Sequence, residues 1–224
     1  MKIRIEQGPK GKKSVAYAID WLGLERGART DELALERLQQ YRERYAPVAK
    51  LAGLDDAFLA EPAFDITEVY EGATSTDFWG ISFASSSTEK QEPYTLERFD
   101  RDMTLLHACW RFFDEMSARV SAELRQGPRG GGMQRDELIN HVFGTERVQL
   151  APKVGVKTPQ GVMLTPEGLR THRADFLEGL RAAQEAGRTK AGRTWTLSLL
   201  VRRTAYHALD HAWEMEDRDL GAGA

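Results

Sequence analysis

Residues 200–215 read LVRRTAYHALDHAWEM, the clearest helical pattern in the chain. Because apolar positions recur there every three or four residues, we predict a long helix from about Thr194 to Arg218. His207 and His211 are four residues apart, so their side chains project from one face of that helix. Two imidazoles on one face can bind a metal ion if a third ligand comes from elsewhere in the fold. Such a pair also arises by chance in helices, so the spacing alone does not establish a site.

Three more helical segments precede this one, and the four together predict an all-α four-helix bundle over residues 96–218, with a short tail at 219–224. The segments are residues 96–125, 133–150 and 165–186. Thr165 followed by Pro166 is typical of a helix start, since threonine caps the first turn and proline fits its first position. Proline and glycine in residues 151–164 predict a loop or a short hairpin.

The first 75 residues follow a different pattern. Alternating apolar and polar positions at residues 2–6 and 14–20 flank a Gly-Pro turn and predict a hairpin. Thr30 predicts the start of a helix in which Pro47 marks an interruption, unless residues 48–51 resume the turn, and residues 64–70 predict a further strand. The order β-β-(β)-α-β is that of a small α+β domain, so the whole chain is predicted to be α+β.

A polar, turn-rich segment at residues 76–95 is predicted to be a linker between the two domains. It contains three aromatic residues, Phe78, Trp79 and Phe83, which is unusual for a linker. They either cover one domain with the other or line a pocket near the metal.

Composition and charge narrow the choice of partners. The 224 residues include 31 basic and 34 acidic side chains, a net charge of −3, so we do not expect a nucleic acid or an anionic membrane as partner. No apolar run is long enough to cross a bilayer, and the N-terminus does not resemble a signal peptide. A cytoplasmic protein is therefore expected. Cys109, the one cysteine, is expected to be a small buried side chain rather than a reactive thiol.

The third ligand has few candidates, because the chain holds only three other histidines, His107, His141 and His172. His141 lies among apolar residues of the second predicted helix and is the best of them. We expect His172 to be a solvated helix residue, and His107 to be either a core histidine or a pocket residue. Neutral imidazoles suit Zn, Ni, Fe or Cu, and three protein ligands leave a coordination position for water or substrate.

Several neighbours of these histidines could support the site. Glu146 and Asp210 either accept an imidazole N–H and fix its tautomer, or are ordinary surface carboxylates. Arg202 and Arg203 precede the histidine pair; a cation there would suit an anionic substrate, although a solvated helix face is the simpler interpretation. Arg203 and Tyr206, like His107, are candidates for lining a pocket.

The motifs Asn140-His141-x-x-x-x-Glu146 and Tyr206-His207-x-x-x-His211 resemble those of the DinB-like superfamily of four-helix metal proteins. The resemblance covers residues 96–218. It implies a divalent ion, Zn or Ni, held by His141, His207 and His211. It also implies a homodimer and a small-molecule substrate, with a low-molecular-weight thiol as co-substrate. The implied activity is that of a thiol-dependent S-transferase or isomerase.

The N-terminal part is similar to the HicB-like antitoxin family. The resemblance is carried by Ile19-Asp20-Trp21-Leu22-Gly23 and by residues 27–36, with Leu22 where the family has proline. It implies that residues 1–75 form a HicB-like domain that docks a protein partner. The alternative function is therefore a non-catalytic binding or stress-response protein, whose metal site is structural, sensory or decayed.

Overall fold

The computed structural model describes residues 1–127, 131–188, 190–192 and 195–221. Three sequence predictions fall partly outside these residues: the helix start at Thr194, the segment 128–130 that follows the first long helix, and the end of the tail at 222–224. The described chain is mixed α+β, as predicted, with strands mainly near the N-terminus and helices after them.

Packing divides the chain into two compact units. The first contains Met1–Cys109 and Ser198–Tyr206, and the second contains Trp110–Leu197 and the chain from His207 onward. The domain boundaries predicted from sequence, at residues 75 and 96, remain predictions.

A four-stranded sheet forms the base of the first unit. Its strands are β1 Lys2–Gln7, β2 Ser14–Ala18, β3 Glu25–Ala28 and β4 Asp65–Glu71. Their order in the sheet is β3-β2-β1-β4, with β1 antiparallel to β2 and parallel to β4. All five residues of β2, one of the two inner strands, are buried. The predicted β-β-(β)-α-β order is confirmed.

Helix α1, Asp31–Leu51, lies between β3 and β4 in the chain, and the short helix α2, Asp55–Leu59, follows it. The Thr30 hydroxyl accepts the Leu33 N–H, which confirms the predicted cap. The helix continues through Pro47 to Leu51, so the predicted interruption is wrong and the alternative, in which residues 48–51 continue the helix, is confirmed. Its last turns are stabilised by burial of apolar side chains, which offsets the hydrogen bond that proline cannot make.

The predicted linker contains two short helices, α3 at Thr74–Trp79 and α4 at Ser87–Gln91. Phe78 and Trp79 are exposed, so the expectation that they pack on a domain or line a metal pocket is wrong for both. Phe83 is half-buried.

Four longer helices follow: α5 Leu96–Arg119, α6 Arg135–Thr145, α7 Pro166–Glu185 and α8 Leu197–Arg218. Helix α5 ends before the predicted residue 125. Beyond it, the Ser121 N–H donates to the Asp219 carboxylate and the Leu124 N–H donates to the Gln134 side chain, so other partners replace the helical carbonyls. The Thr165 cap and Pro166 start of α7 are confirmed.

Helix α6 does not run unchanged to residue 150 as predicted. It passes into a π-helical turn, Glu146–Leu150, and a 3-10 turn, Ala151–Val154. A second 3-10 turn covers Val162–Leu164, so the hairpin considered for residues 151–164 is wrong. A two-stranded pair, β5 Lys190–Ala191 with β6 Trp195–Thr196, precedes α8. Among the described residues, no helix has both the length and the apolarity needed to cross a bilayer.

Candidate metal centre

Three histidines from two helices of the second unit lie together. One nitrogen from each of His141, His207 and His211 can be chosen so that all three lie within 4.8 Å of one another. The three ring centroids are 4.7 to 5.0 Å apart. The Nε2 atoms of His141 and His207 are separated by 3.2 Å. Helix α8 sets the spacing of two rings, since a residue and the fourth one after it lie one turn apart.

The donor set matches the ligand preference of a divalent transition metal. A tetrahedral site with metal–nitrogen bonds of about 2.05 Å places its ligand nitrogens about 3.3 Å apart, close to the separation of the first two rings. His141 is exposed, whereas His207 and His211 are half-buried, so the cluster has one side open to solvent. Three imidazoles and an open side are compatible with Zn or Ni bound with a free coordination position.

A carboxylate not identified from the sequence contacts one of these imidazoles. Glu214 Oε2 lies 2.9 Å from His211 Nδ1, and its other oxygen accepts a hydrogen bond from Arg218 at 2.8 Å. The Arg218 Nε–H donates in turn to the Arg125 carbonyl at 2.7 Å. When His211 Nδ1–H donates to Glu214, the Nε2 lone pair is free for a metal. The three-residue spacing of 211 and 214 on one helix was the sequence signal for this contact.

The electrostatics of the cluster favour a neutral His141 beside an ionised Glu214. The pKa of Glu214 is lowered, first by its hydrogen bond with His211 and further by Arg218, so this group is a carboxylate at neutral pH. The pKa of His141 is lowered by burial of its ring and by the charge of His211. An imidazole that resists protonation keeps a lone pair available as a ligand.

The contacts that the structure describes for Glu146 are with Trp110 and His172 and not with these three histidines. It is buried at the start of the π-helical turn, where Oε2 accepts the Trp110 Nε1–H at 2.8 Å and Oε1 lies 3.3 Å from His172 Nε2. The other ring nitrogen of His172 lies 2.6 Å from the Thr158 hydroxyl. The expectation that Glu146 fixes a ligand tautomer is therefore not what its contacts indicate.

His172 is only 1% exposed, so the prediction of a solvated residue is wrong. The buried face of α7 explains the error: it carries Gly168, His172, Phe176, Leu180 and Ala183. The four-residue spacing from position 172 to the apolar positions 176 and 180 was the available signal, and the charged neighbours on either side of the histidine obscured it.

The remaining candidates lie elsewhere. His107 is exposed on α5, so the core interpretation is wrong, and it is not part of the cluster. Asp210 is half-buried on α8. Arg203 and Tyr206 are buried in the first unit, and the Arg203 guanidinium lies 4.0 Å from the Glu25 carboxylate.

Arg202 is 6% exposed and Arg203 is 7% exposed, so the prediction of a solvated face is wrong for both. The Arg202 guanidinium lies over the Tyr17 ring at 3.8 Å and contacts Glu89 at 3.4 Å. Burial raises the pKa of Glu25, and Arg203 opposes that shift. Cys109 is buried as predicted, and burial raises the pKa of its thiol well above its usual value, which leaves it unreactive.

Comparison with known proteins adds no family assignment: the chain matches no protein-family model, no curated protein and no solved structure. The DinB-like and HicB-like resemblances therefore remain predictions.

Proposed function

We propose that this protein binds a divalent metal ion, Zn or Ni, through His141, His207 and His211, and that it is a DinB-like four-helix protein joined to a HicB-like N-terminal domain. The observation that supports the proposal is the convergence of three imidazole nitrogens within 4.8 Å at a site with an open side. The order of the four long helices supports it too, since the ligands come from the second and the fourth.

The proposed activity is the transfer or isomerisation of a small molecule with a low-molecular-weight thiol as co-substrate. A divalent ion held by three imidazoles supplies a Lewis acid that lowers the pKa of a thiol in its open position. The protein's own part is to hold the ring nitrogens in place: Glu214 fixes the His211 tautomer, and Arg218 holds Glu214. The exposed side of His141 leaves room for the thiol.

The proposal includes two further expectations, a homodimer and a cytoplasmic location.

Metal affinity measured on single variants tests this assignment. His141→Ala, His207→Ala and His211→Ala should each weaken Zn or Ni binding by about 100-fold or more, because loss of a direct ligand exceeds the effect of losing an outer partner. His107→Ala is the matched control, since this histidine is exposed and outside the cluster. Wild-type affinity in all the ligand variants would contradict the site.

The thiol step has its own measurement. The Co²⁺-substituted protein should change its visible absorption when a low-molecular-weight thiol is added, because sulfur enters the open position. If Co²⁺ binds stoichiometrically and no thiol tested alters the spectrum, the metal site stands and the thiol-dependent activity is rejected.

A further inference from the structure

Two adjacent aromatic rings stand in solvent at the end of α3. Phe78 is 69% exposed and Trp79 is 63% exposed, and their rings meet edge to face with centroids 4.6 Å apart. The edge of one ring thus supports the other. Large exposed aromatics mark binding surfaces more often than single exposed aliphatic residues do.

The segment that presents these rings is firmly held. The buried Thr76 hydroxyl donates to the Glu6 carboxylate, and the Asp77 carboxylate accepts the N–H groups of Lys10 and Lys12, each at 2.8 Å. Gly80 ends the helix in the left-handed conformation, with φ at 69°, which glycine adopts without strain. Its carbonyl lies so close to Gly27 that a side chain at position 27 would not fit. The aromatic pair is therefore exposed by an ordered set of contacts.

Trp79 forms one wall of a groove of about 480 Å³ that has a basic lining. Lys13, Arg29 and Arg37 contribute cations, and Glu36 is the one carboxylate among the lining residues that the structure describes. Lys13 donates to the Phe78 carbonyl at 2.6 Å and Arg37 donates to the Gly27 carbonyl at 3.0 Å. Within the described chain, no carboxylate forms an ion pair with these three cations, so their charge is available to an anion.

We propose that this groove binds a free nucleotide, with the base stacked on Trp79 and the phosphates on Lys13, Arg29 and Arg37. The volume lies in the range of small-molecule sites. Aromatic rings stack on any base, and arginine matches the geometry of phosphate oxygens. The net charge of −3 provides no general attraction for a nucleic-acid strand, which favours a free nucleotide. The inference does not depend on the proposed metal site, whose residues lie in the other unit.

Calorimetric titration of the full chain with ATP in Mg²⁺-free buffer tests the proposal. We expect a dissociation constant below about 1 mM, raised about tenfold or more by Trp79→Ala and by Arg29→Glu. Both residues are exposed, so these variants should fold. Lys50→Glu is the matched control: it makes the same charge change on exposed α1 surface outside the groove and should alter the constant less than about twofold.

His207→Ala should bind ATP as the wild type does, which distinguishes the groove from phosphate binding at a metal. Absence of ATP binding at about 1 mM would overturn the proposal, and so would equal affinity in the Trp79 and Arg29 variants. Tighter binding of a single-stranded oligonucleotide of about ten residues than of ATP would overturn the assignment to a free nucleotide.

Discussion

Two polar clusters, one in each unit, differ in whether the protein itself supplies partners for all of their polar atoms. In the first unit, Glu6 is fully buried and accepts hydrogen bonds from the hydroxyls of Thr76 and Ser82 and from two backbone N–H groups, those of Phe83 and Ala84. In the second unit, the nitrogens of His141, His207 and His211 face one another at a site open to solvent.

The difference lies in whether the protein supplies the partners. The Glu6 carboxylate has its acceptor sites filled by donors from the same chain, which is the usual condition of a buried charge. The 3.2 Å contact between His141 and His207 can be one N–H···N hydrogen bond, but such a bond joins only two of the three rings, whereas a metal ion can bind a lone pair from each of them. A saturated cluster stabilises the fold, whereas an incomplete one can take a ligand.

His172 shows that a histidine side chain is not by itself a sign of a ligand site. It is a histidine on a helix like the other three, but it is buried: the Thr158 hydroxyl lies 2.6 Å from Nδ1, and Nε2 lies 3.3 Å from Glu146 Oε1 without a hydrogen bond. One hydrogen bond and packing against Phe176 hold its ring in the core, apart from the three clustered histidines.

Removing the Glu6 carboxylate should have the largest effect on stability. Glu6→Ala leaves buried hydroxyls and N–H groups without an acceptor, so we expect the free energy of unfolding to fall by about 3–5 kcal/mol, as when a buried polar network is broken. Urea denaturation measures the loss. Glu71→Ala, at an exposed end of β4, should stay within about 0.5 kcal/mol of wild type. Similar losses in both variants would show that saturation of Glu6 contributes nothing.

His172→Ala should separate stability from metal binding. It opens a cavity and removes a partner of Glu146, so the free energy of unfolding should fall by about 2–3 kcal/mol while Zn affinity stays within about twofold. Chemical denaturation and metal titration on the same sample give both quantities. The exposed His107→Ala should leave both unchanged. A 100-fold loss of affinity in His172→Ala would mean that the wrong histidines have been grouped.

Glu214→Gln should weaken the metal centre without unfolding the protein. The amide keeps the shape of the side chain but loses the charge that orients His211, so we expect metal affinity to fall about 10- to 100-fold. Competition with a chromophoric chelator measures the affinity. Glu216 is on the same helix as Glu214 and forms a partly exposed ion pair with Arg119 of α5. Glu216→Gln is the control and should change metal affinity less than about twofold. Equal affinities in the two variants would remove Glu214 from the site.

The smallest predicted effect is a pH dependence in the first unit. Burial raises the pKa of Asp102 to about 6, although Arg98 and a 2.7 Å hydrogen bond from Tyr94 oppose the shift. The folded state then holds the proton more tightly than the unfolded chain, whose aspartate pKa is about 3.9. Stability from this group is therefore full below about pH 4 and is lost as the pH rises to about 6 and above.

Asp102→Asn should remove this dependence. The variant should match wild type at about pH 4 and be more stable by up to about 2 kcal/mol at about pH 8, in urea midpoints converted to free energy. Asp100→Asn, exposed on the same helix, should show no such pH-dependent gain. If the difference in unfolding free energy between Asp102→Asn and wild type is the same at both pH values, the pKa of Asp102 is not raised.

Local signals predicted the elements whose causes are local. The caps at Thr30 and Thr165 follow from hydroxyl groups beside helical runs, and the strands follow from two-residue alternation. Errors occurred where partners distant in sequence decide the outcome. Helix α5 ends early because Asp219 and Gln134 provide other acceptors, and Arg203 is buried because Glu25 compensates its charge.

The sequence by itself determined the mixed α+β character, the four long helical segments and the spacing of His207 and His211, since each depends on side chains close in the chain. Tertiary structure decided which histidines meet, because proximity of His141 to α8 and of His172 to Glu146 depends on helix packing. It also decided that the Trp79 ring stays in solvent. Contacts of Thr76 with Glu6 and of Asp77 with Lys10, each between residues far apart in sequence, hold α3 in place. Burial and charge compensation act through space, and a linear pattern does not encode the distances on which they depend.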